Sequence, residues 1–259
     1  MGVVNITPDS FSDGGSYFTP EKAIRHCLDL FEQGADMVDI GAESSRPGAA
    51  SVDPAIEWQR LSPVLDKLRD LGLCRKISVD TRRDEIMLRA LSYNVGWINN
   101  IEGLAREGTM RELAKDKELK YIAMHMHGTP AAMQSTPLTG NSAALEVQQK
   151  LVSYHSQLSS TGFDNDRIFL DPGIGFGKDD TTNFKLLKLS LSLAKKFQIL
   201  IGVSRKSFIG RALGISDPLD RDPPSKMLEL GLALGGIQMI RTHQVGVLHT
   251  MLSQSNLEQ

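Results

Sequence analysis

Residues 168–178, IFLDPGIGFGK, place a short apolar run, an aspartate and a glycine-rich turn in immediate succession. Such a run predicts a buried β-strand, because it is short, rich in branched and aromatic side chains, and bounded by a turn. The same succession recurs along the chain, each time followed by a helical pattern. Eight runs of this kind are present: Gly2–Asn5, Met37–Gly41, Lys76–Asp80, Trp97–Ile101, Tyr121–His125, Ile168–Asp171, Ile199–Ser204 and Gln238–Arg241.

The stretches between these runs predict helices. Pro20–Gln33 and Pro54–Leu71, for example, repeat apolar residues with the 3.6-residue period of an amphipathic helix. Alternating strands and helices favour a parallel sheet, and eight units of about 32 residues match a closed (β/α)8 barrel. An open, doubly wound sheet usually has fewer strands, and no GxGxxG follows the first run. We therefore predict an α/β fold, a single TIM barrel domain over residues 1–259.

Charge and cysteine content exclude several classes of protein. The 259 residues include 29 basic and 31 acidic ones, a formal net charge of −2, with no basic tract. We therefore expect no nucleic-acid partner, and we expect no membrane partner because no apolar run approaches the roughly 18 residues of a membrane span. The first ten residues lack the features of a signal peptide, and Cys27 and Cys74 lack the CxxC spacing of a redox or metal pair. A cytoplasmic protein is predicted.

Nearly every predicted strand ends on a polar side chain. Taken singly, many of these residues could equally cap the following helix. Taken together they indicate function, because the carboxyl ends of all strands in an α/β barrel converge on the face where active sites lie. They are Asn5, Asp39 with Glu43, Asp80, Asn99, His125, Asp171, Ser204–Lys206, and Arg241 with His243.

Cations follow the last two predicted strands, in Gly202–Ser207 (GVSRKS) and in Arg241–His243 (RTH). Phosphate sites of α/β barrels often lie at these two strands. The sequence therefore predicts a small-molecule substrate that carries phosphate. Two loops rich in hydroxyl groups and glycine, residues 5–15 and 41–48, are expected at the same face as lids over the site.

Asp80, Asn99 and Asp171 bring two carboxylates and an amide to the same face. Such groups bind a metal, act as acid or base, or accept N–H donors from a heterocycle, and the residues alone do not choose among these roles. His125 and His127 have the i, i+2 spacing that puts two zinc ligands on one face of a strand. No third ligand follows at a convincing spacing, so packing and polarity are the preferred interpretation of this pair.

The motifs together resemble those of the dihydropteroate synthases, pterin-binding barrel enzymes of folate biosynthesis. The resemblance extends from Met1 to His243 and rests on long motifs in a fixed order. They are MGVVNITPDSFSDGG, GAESSRPG, SVDT, INN, HMHGTPAAMQ, DPGIGFGK, GVSRKSFIG and IRTH.

The resemblance implies a transferase that condenses 6-hydroxymethyl-7,8-dihydropterin pyrophosphate with 4-aminobenzoate, giving 7,8-dihydropteroate and pyrophosphate. In this family pyrophosphate leaves first, and the amine of 4-aminobenzoate then attacks the cationic methylene of the pterin. The resemblance also implies Mg²⁺ as cofactor and a homodimer as the assembly.

The resemblance assigns roles to residues as well. The pterin would be bound by four side chains: Asp80, Asn99, Asp171 and Lys206. The pyrophosphate would be held by Arg241, His243 and Ser45, with Mg²⁺ bridging from Asn5. Arg46 and Ser207 are further expected substrate contacts, and Lys206 would lie between the two substrate pockets. The expected catalytic residues are Asp80, Lys206, Arg241 and His243, with Phe11 and Pro47 as apolar walls.

Two positions and one segment depart from the family's pattern. Asn100 and Gln244 each stand where Asp is usual, and Asp222–Lys226 (DPPSK) replaces a small Gly-Ser or Gly-Thr. Strand alternation predicts that Asn100 and Gln244 point away from the ligand, because their neighbours Asn99 and His243 point toward it.

The missing carboxylate at position 244 has an expected consequence for His243. Without it the imidazole should be less readily protonated, so pyrophosphate binding should weaken as the pH rises through the histidine range. Gln244→Asp should then tighten binding. Two alternatives remain open: a non-catalytic pterin-binding paralogue, motivated by the two amides, and a methyltetrahydrofolate-using methyltransferase, which would need neither Arg241 nor the cations that follow Ser204.

Overall fold

The computed structural model describes residues 1–7, 19–44, 48–49, 51–129, 132–133 and 135–255. Its eight strands form one sheet in which every paired neighbour is parallel, in the order β1 to β8. The strands are β1 Gly2–Asn5, β2 Val38–Gly41, β3 Ile77–Asp80, β4 Trp97–Asn100, β5 Lys120–Met124, β6 Ile168–Asp171, β7 Gln198–Gly202 and β8 Met239–Arg241. All eight predicted strands are therefore confirmed, with bounds that differ by no more than two residues.

The sheet closes on itself between β8 and β1. Thr242 forms a parallel bridge with Gly2, and its backbone N–H donates to the carbonyl oxygen of Met1 at 3.0 Å. The nitrogen of Met1 in turn donates to the carbonyl oxygen of Ile240 at 2.9 Å. These contacts make the sheet a barrel, so the open doubly wound alternative is wrong.

Helices follow the strands on the outside of the barrel. Local chemistry sets where several of them begin: Pro54 opens one helix, and the preceding Asp53 accepts a hydrogen bond from the N–H of Ala55 at 2.8 Å. Asp179 caps another in the same way, accepting from Thr182 N–H at 2.7 Å. The helices are α1 Pro20–Glu32, α2 Pro54–Asp70, α3 Asp84–Leu91, α4 Glu107–Ala114, α5 Ala143–Ser160, α6 Asp180–Leu193, α7 Ser207–Leu213, α8 Asp222–Leu234 and α9 Val245–Gln254.

The buried apolar side chains form two clusters, one between the barrel and the helices and one inside the barrel. Outward strand side chains pack with the helices in one large core, whereas inward ones near the amino ends of the strands form a smaller cluster. We call this smaller cluster the apolar plug; it consists of Met1, Met37, Trp97, Ile122, Phe169 and Leu200, with Met239 packed against it. The plug fills the amino end, where the ammonium of Lys120 lies 4.8 Å from the centre of the Trp97 ring, so the space left inside the barrel is at the carboxyl end.

Within the described residues, none of the helices combines the length and apolar character that crossing a membrane demands.

Candidate active site

A cavity of about 520 Å³, counted with the part open to solvent, lies at the carboxyl ends of the strands. Its lining is polar on several sides and apolar between them. The polar residues are Asp80, Asn99, Asp171, Ser204, Lys206, Arg241 and His243, and the others are Val3, Ile101, Met124, Phe176 and Gly202. The structure thus brings together, in one cavity, polar side chains that the sequence singled out at the ends of separate strands.

Strand alternation explains why these side chains meet. Asp80, Asn99, Asp171 and Arg241 each end or nearly end a strand, and each follows an outward residue of the large core. Asn100, one residue beyond Asn99, points outward instead. Its amide donates to the hydroxyl of Tyr121 at 2.9 Å and its carbonyl accepts from the N–H of Glu102 at 2.9 Å. The prediction that Asn100 faces away from the cavity is confirmed.

Arg241 lies between two carboxylates inside the barrel. Its Nε donates to Asp39 Oδ2 at 2.7 Å, and its Nη2 lies 3.5 Å from Asp80 Oδ2. Asp39 Oδ2 also accepts from the amide of Asn99 at 3.0 Å. Because Nδ2 of Asn99 is used in this way, its carbonyl oxygen remains as the acceptor available to a ligand.

The electrostatics of this cluster raise the pKa of Asp80 to about 8. Burial disfavours the carboxylate, and the negative charge of Asp39 adds to that effect, while Arg241 opposes it. Burial alone would lower the pKa of Arg241, but Asp39 and Asp80 raise it, so the guanidinium stays charged. Oδ1 of Asp39 is buried and has no hydrogen-bond partner among the described residues.

Asp171 and Lys206 form the opposite side of the cavity. Oδ1 of Asp171 accepts from the N–H of Gly173 at 2.7 Å, and burial raises the pKa of this carboxyl while Lys206 acts against that. The ammonium of Lys206 donates to the carbonyl of Ile174 and lies 4.7 Å from the centre of the Phe176 ring. Burial lowers the pKa of Lys206 to about 8, although Asp171 raises it.

The glycines of DPGIGFGK serve contacts within the protein. Gly173 and Gly177 have positive φ angles of 64° and 67°, and a Cβ atom on either would lie about 2 Å from a backbone oxygen, that of His125 or His127. At these two positions glycine is therefore required by the close approach of this turn to the turn after β5.

Lys178 connects the turn after β5 with the turn after β6. Its buried ammonium donates to the carbonyl oxygens of His125, Gly173 and Phe176 at 3.0, 2.9 and 2.9 Å. Three acceptors match the three N–H bonds of an ammonium group, while burial lowers the pKa of Lys178 to about 7.

His243 is held by Ser204 across the ends of β7 and β8. The backbone N–H of His243 donates to Ser204 Oγ at 3.3 Å, and the ring Nδ1 lies 3.0 Å from the same oxygen. The hydroxyl can accept from the backbone and also donate to Nδ1, an arrangement in which the neutral ring carries its proton on Nε2. Burial, followed by the charges of Arg241 and Arg205, lowers the pKa of His243 to about 3.

This environment corrects the expected pH dependence of His243. The imidazole of the free protein is already neutral throughout the histidine range, so it does not titrate there. Gln244 is directed at Asp222, to which its amide donates, and it does not line the cavity. The prediction that Gln244 faces away from the site is confirmed.

Two other expectations from the strand ends are wrong. Of the two cations after Ser204, only Lys206 lines the cavity, because Arg205 forms a two-bond ion pair with Asp222 at 2.7 and 2.9 Å. Glu43 also turns away, accepting from Arg82 Nε at 2.8 Å and from Arg83 Nη2 at 2.9 Å. Burial would raise the pKa of Glu43, but these hydrogen bonds lower it to about 2.

The remaining candidates occupy different places. Ser207 begins α7, is exposed and does not line the cavity. Asn5 ends β1, two residues after the lining residue Val3, so strand alternation directs it inward. No cluster of three or more His, Cys, Asp or Glu side chains suited to a metal occurs among the described residues. Ser45, Arg46, Phe11 and Pro47 lie outside the described residues.

Several lining residues were missed by the sequence analysis. Met124 pairs in register with Asp171, so the same inward alternation that selected Asp171 could have selected it. Phe176 was inside a quoted motif but was not singled out, since an aromatic residue in a turn has no distinctive pattern. Asp39 does not line the cavity and was noticed only as a polar residue near a strand end, although it contacts both Arg241 and Asn99.

Comparisons with known proteins agree with this geometry. Residues 1–243 match the family of pterin binding enzymes. The dihydropteroate synthase of Neisseria meningitidis serogroup B is 39% identical over 251 residues, which cover 95% of this chain and 87% of that protein. Among solved structures, Xanthomonas albilineans dihydropteroate synthase with 4-aminobenzoic acid superposes with a TM-score of 0.89 at 36% identity, covering 100% of this chain and 93% of that one.

A second structure of the Xanthomonas albilineans enzyme, in complex with 7,8-dihydropteroate, gives a TM-score of 0.85 at 33% identity and the same coverage. The family match covers most of the chain, and the identity with these relatives extends over nearly all of it. The chain belongs to the dihydropteroate synthase family of pterin-binding enzymes.

Proposed function

We propose that this chain condenses 6-hydroxymethyl-7,8-dihydropterin pyrophosphate with 4-aminobenzoate, releasing pyrophosphate and 7,8-dihydropteroate for folate biosynthesis. The observation that carries the proposal is one cavity in which two carboxylates, Asp80 and Asp171, and an amide, Asn99, face three basic side chains. A pterin presents an edge of amide and amino N–H donors, and its pyrophosphate presents anionic oxygens. Few small molecules need both kinds of partner in one cavity.

The acceptor side of the cavity is assigned to the pterin. Asp171 keeps Oδ2 available because only Oδ1 is used by Gly173, and Asn99 keeps its carbonyl oxygen. Ionised Asp80 would be the third acceptor. Each hydrogen bond from a ring N–H to a carboxylate is charge-assisted, and such bonds are about twice as strong as neutral ones.

The basic side is assigned to pyrophosphate. Arg241 stays charged, and neutral His243 offers its Nε2–H, so both donate to phosphate oxygens. Lys206, over the Phe176 ring, is assigned to both substrates, between the pterin and the carboxylate of 4-aminobenzoate. Ser45, Arg46 and Ser207 remain proposed substrate contacts by resemblance.

The metal assignment rests on Asn5. Its inward amide oxygen at the carboxyl end of β1 is the type of ligand that Mg²⁺ accepts, and a single neutral oxygen would need phosphate oxygens and water to complete the coordination. Bound there, Mg²⁺ would offset negative charge on the leaving pyrophosphate. We therefore propose Mg²⁺ as cofactor, bound together with the substrate.

In the proposed reaction the bond between the pterin methylene carbon and the pyrophosphate oxygen breaks first. Arg241 and His243 stabilise the negative charge that leaves, and the carboxylates of Asp80 and Asp171 stabilise the positive charge that remains on the pterin. The amine nitrogen of 4-aminobenzoate then bonds to the methylene carbon and loses a proton. Asp80, Lys206, Arg241 and His243 are the proposed catalytic residues.

Neither alternative is favoured by a feature of the described residues. The amide at Asn100 motivated a non-catalytic paralogue, but Asn100 contacts Tyr121 and Glu102 rather than the cavity. A methyltransferase would leave Arg241 and His243 without a phosphate to bind. The test is formation of dihydropteroate, identified by mass spectrometry, together with sustained release of pyrophosphate when both substrates are supplied. Sustained pyrophosphate release without dihydropteroate, or no product at all, would argue against the synthase.

We propose that the protein is a homodimer and that it is located in the cytoplasm. Large apolar side chains lie exposed on consecutive elements, namely Leu213 (58% exposed) at the end of α7, Leu219 (60%) in the turn before α8, and Met227 (66%) in α8. We call these three residues the α7–α8 patch. Exposed apolar groups that form one surface commonly mark a protein interface, and we propose that these three do so where two copies pair.

A further inference from the structure

The first residue of α8, Asp222, joins the two turns that carry the basic side of the cavity. Its carboxylate receives two hydrogen bonds from Arg205, in the turn after β7, at 2.7 and 2.9 Å. It also accepts from the side-chain amide of Gln244, in the turn after β8. Asp222 itself does not line the cavity.

Arg205 has an unusual backbone conformation that its neighbours hold in place. Its φ angle is 60°, in the left-handed region that few residues other than glycine adopt. Its N–H donates to Ser225 Oγ at 3.1 Å, and its carbonyl oxygen accepts from Arg221 at 3.2 Å. Both backbone groups and the side chain of Arg205 are therefore bound by residues 221–225.

The residues on either side of Arg205 belong to the cavity. Ser204 contacts both the backbone and the ring of His243, and Lys206 lines the cavity over Phe176. A strained residue between two ligand contacts fixes the direction of both, since its φ angle sets the relative orientation of the peptides on each side. On the other strand, Gln244 immediately follows His243.

We propose that Asp222 is a positioning residue that holds Ser204, Lys206 and His243 in place through Arg205 and Gln244. We further propose that the amide at position 244 is required by the carboxylate at 222. This inference rests on the proposed function. It also reverses the earlier expectation for Gln244→Asp, because a new carboxylate at 244 would face Asp222 instead of His243.

The hydrogen bond between an amide donor and a carboxylate acceptor links two departures from the family pattern. Gln244 donates an N–H to Asp222, whereas an aspartate at position 244 would offer only oxygen atoms and a second negative charge. Two carboxylates in contact repel each other and compete for Arg205. If an amide is needed opposite a carboxylate, exchanging the two residues should restore the contact. Asp222→Asn with Gln244→Asp is that exchange, and it conserves the net charge.

The test compares Asp222→Asn, Gln244→Asp and the double variant with the wild type. The readouts are KM and kcat for each substrate, the melting temperature, and the Kd of inorganic pyrophosphate by calorimetry. Asp180→Asn is the matched control, because Asp180 forms a two-bond pair with Arg211 at 2.8 and 2.6 Å between α6 and α7, outside the cavity lining.

We expect Asp222→Asn to raise KM for the pterin substrate about tenfold, the usual consequence of losing a charged hydrogen bond. Gln244→Asp should raise it further, and the double variant should recover to the level of Asp222→Asn or better. Asp180→Asn should lower the melting temperature less, because its ion pair is more exposed than that of Asp222, and should leave both KM values unchanged. Additive effects in the double variant, or KM values that never exceed those of the control, would overturn the proposal.

Pyrophosphate binding separates this inference from the proposed function. If the wild type binds pyrophosphate and the variants bind it about tenfold more weakly, the positioning role stands even when no dihydropteroate forms. Equal binding by all proteins, or none by the wild type, would overturn it. Should Asp222→Asn fail to fold, Gln244→Glu applies the same test, because it adds the carboxylate at the original side-chain length. Wild-type binding by Gln244→Glu would contradict the proposal.

Discussion

The guanidinium of Arg241 is bound to the carboxylate of Asp39 inside the barrel, with Nε 2.7 Å from Oδ2. The two residues are 202 positions apart in the chain and belong to β8 and β2. The same oxygen of Asp39 accepts from Asn99. One buried carboxylate thus orients a cation assigned to pyrophosphate and an amide assigned to the pterin.

The pH dependence of turnover should be narrow and centred near pH 8. Asp80, with a pKa of about 8, is protonated below that pH and then accepts N–H donors from the pterin only through weaker, neutral hydrogen bonds. Lys206, also with a pKa of about 8, loses its charge above it. We expect a bell-shaped profile of kcat/KM with its maximum near pH 8, where both charged forms coexist. A plateau from about pH 6 to about pH 10 would contradict these assignments.

Asp39→Asn should lower the activity and move the acidic limb of that profile. Removing the negative charge next to Asp80 lowers the pKa of Asp80, so its carboxylate persists at lower pH. The loss of the ion pair to Arg241 should reduce kcat/KM by about tenfold or more. Ser78→Ala is the control, since Ser78 is a buried β3 residue whose Oγ has no partner among the described residues. If the acidic limb of the profile does not shift in Asp39→Asn, the charge of Asp39 does not raise the pKa of Asp80, and the prediction is wrong.

Lys178→Met should destabilise the protein strongly. The substitution leaves the carbonyl oxygen of His125 without its donor, whereas those of Gly173 and Phe176 keep a backbone N–H, from Phe176 and His127. An unsatisfied buried acceptor costs about 1–3 kcal/mol, so we expect a loss of about 2 kcal/mol in urea unfolding. Lys185→Met removes an exposed lysine whose contact with Asn141 is 3.4 Å long and should change little. Similar losses for the two variants would mean that the carbonyl contacts of Lys178 contribute nothing specific.

Asn100→Asp should leave turnover nearly unchanged. An aspartate at this position can still accept from the N–H of Glu102. It can also accept from the hydroxyl of Tyr121, which then donates instead of accepting, so both hydrogen bonds are kept and only one changes direction. Burying a carboxylate there lowers the melting temperature without touching the cavity. We expect kcat and both KM values within about threefold of the wild type, a change of less than about 1 kcal/mol. A larger rise in KM for the pterin would place Asn100 in the site.

Met227→Glu should shift the molecule from dimer to monomer. The charge disrupts the α7–α8 patch, in which Met227 is the most exposed of the three residues. Light scattering after size exclusion gives the mass directly. Leu145→Glu is the comparison, because Leu145 is 52% exposed on α5, outside the patch. A monomeric wild type, or an unchanged mass in Met227→Glu, would contradict pairing through this surface.

The barrel could be predicted because its signals are local. Each strand, such as Ile168–Asp171, carries its own apolar run and its own terminal polar residue, and alternation then directs Asp171 inward and Asn100 outward. What could not be predicted is how side chains from distant segments pair. Arg205 looked equivalent to Lys206 until folding brought Asp222 beside it, and the neutral state of His243 depends on burial and on Arg241.

The apolar plug has a consequence for the order of events. Because Met1, Trp97, Phe169 and their neighbours fill the amino end of the barrel, ligands enter and leave through the carboxyl-end mouth. If the pterin binds against Asp171 as proposed, 4-aminobenzoate reaches it through the same mouth. We therefore expect the pterin substrate to bind before 4-aminobenzoate, and dihydropteroate to leave before the next pterin substrate can bind.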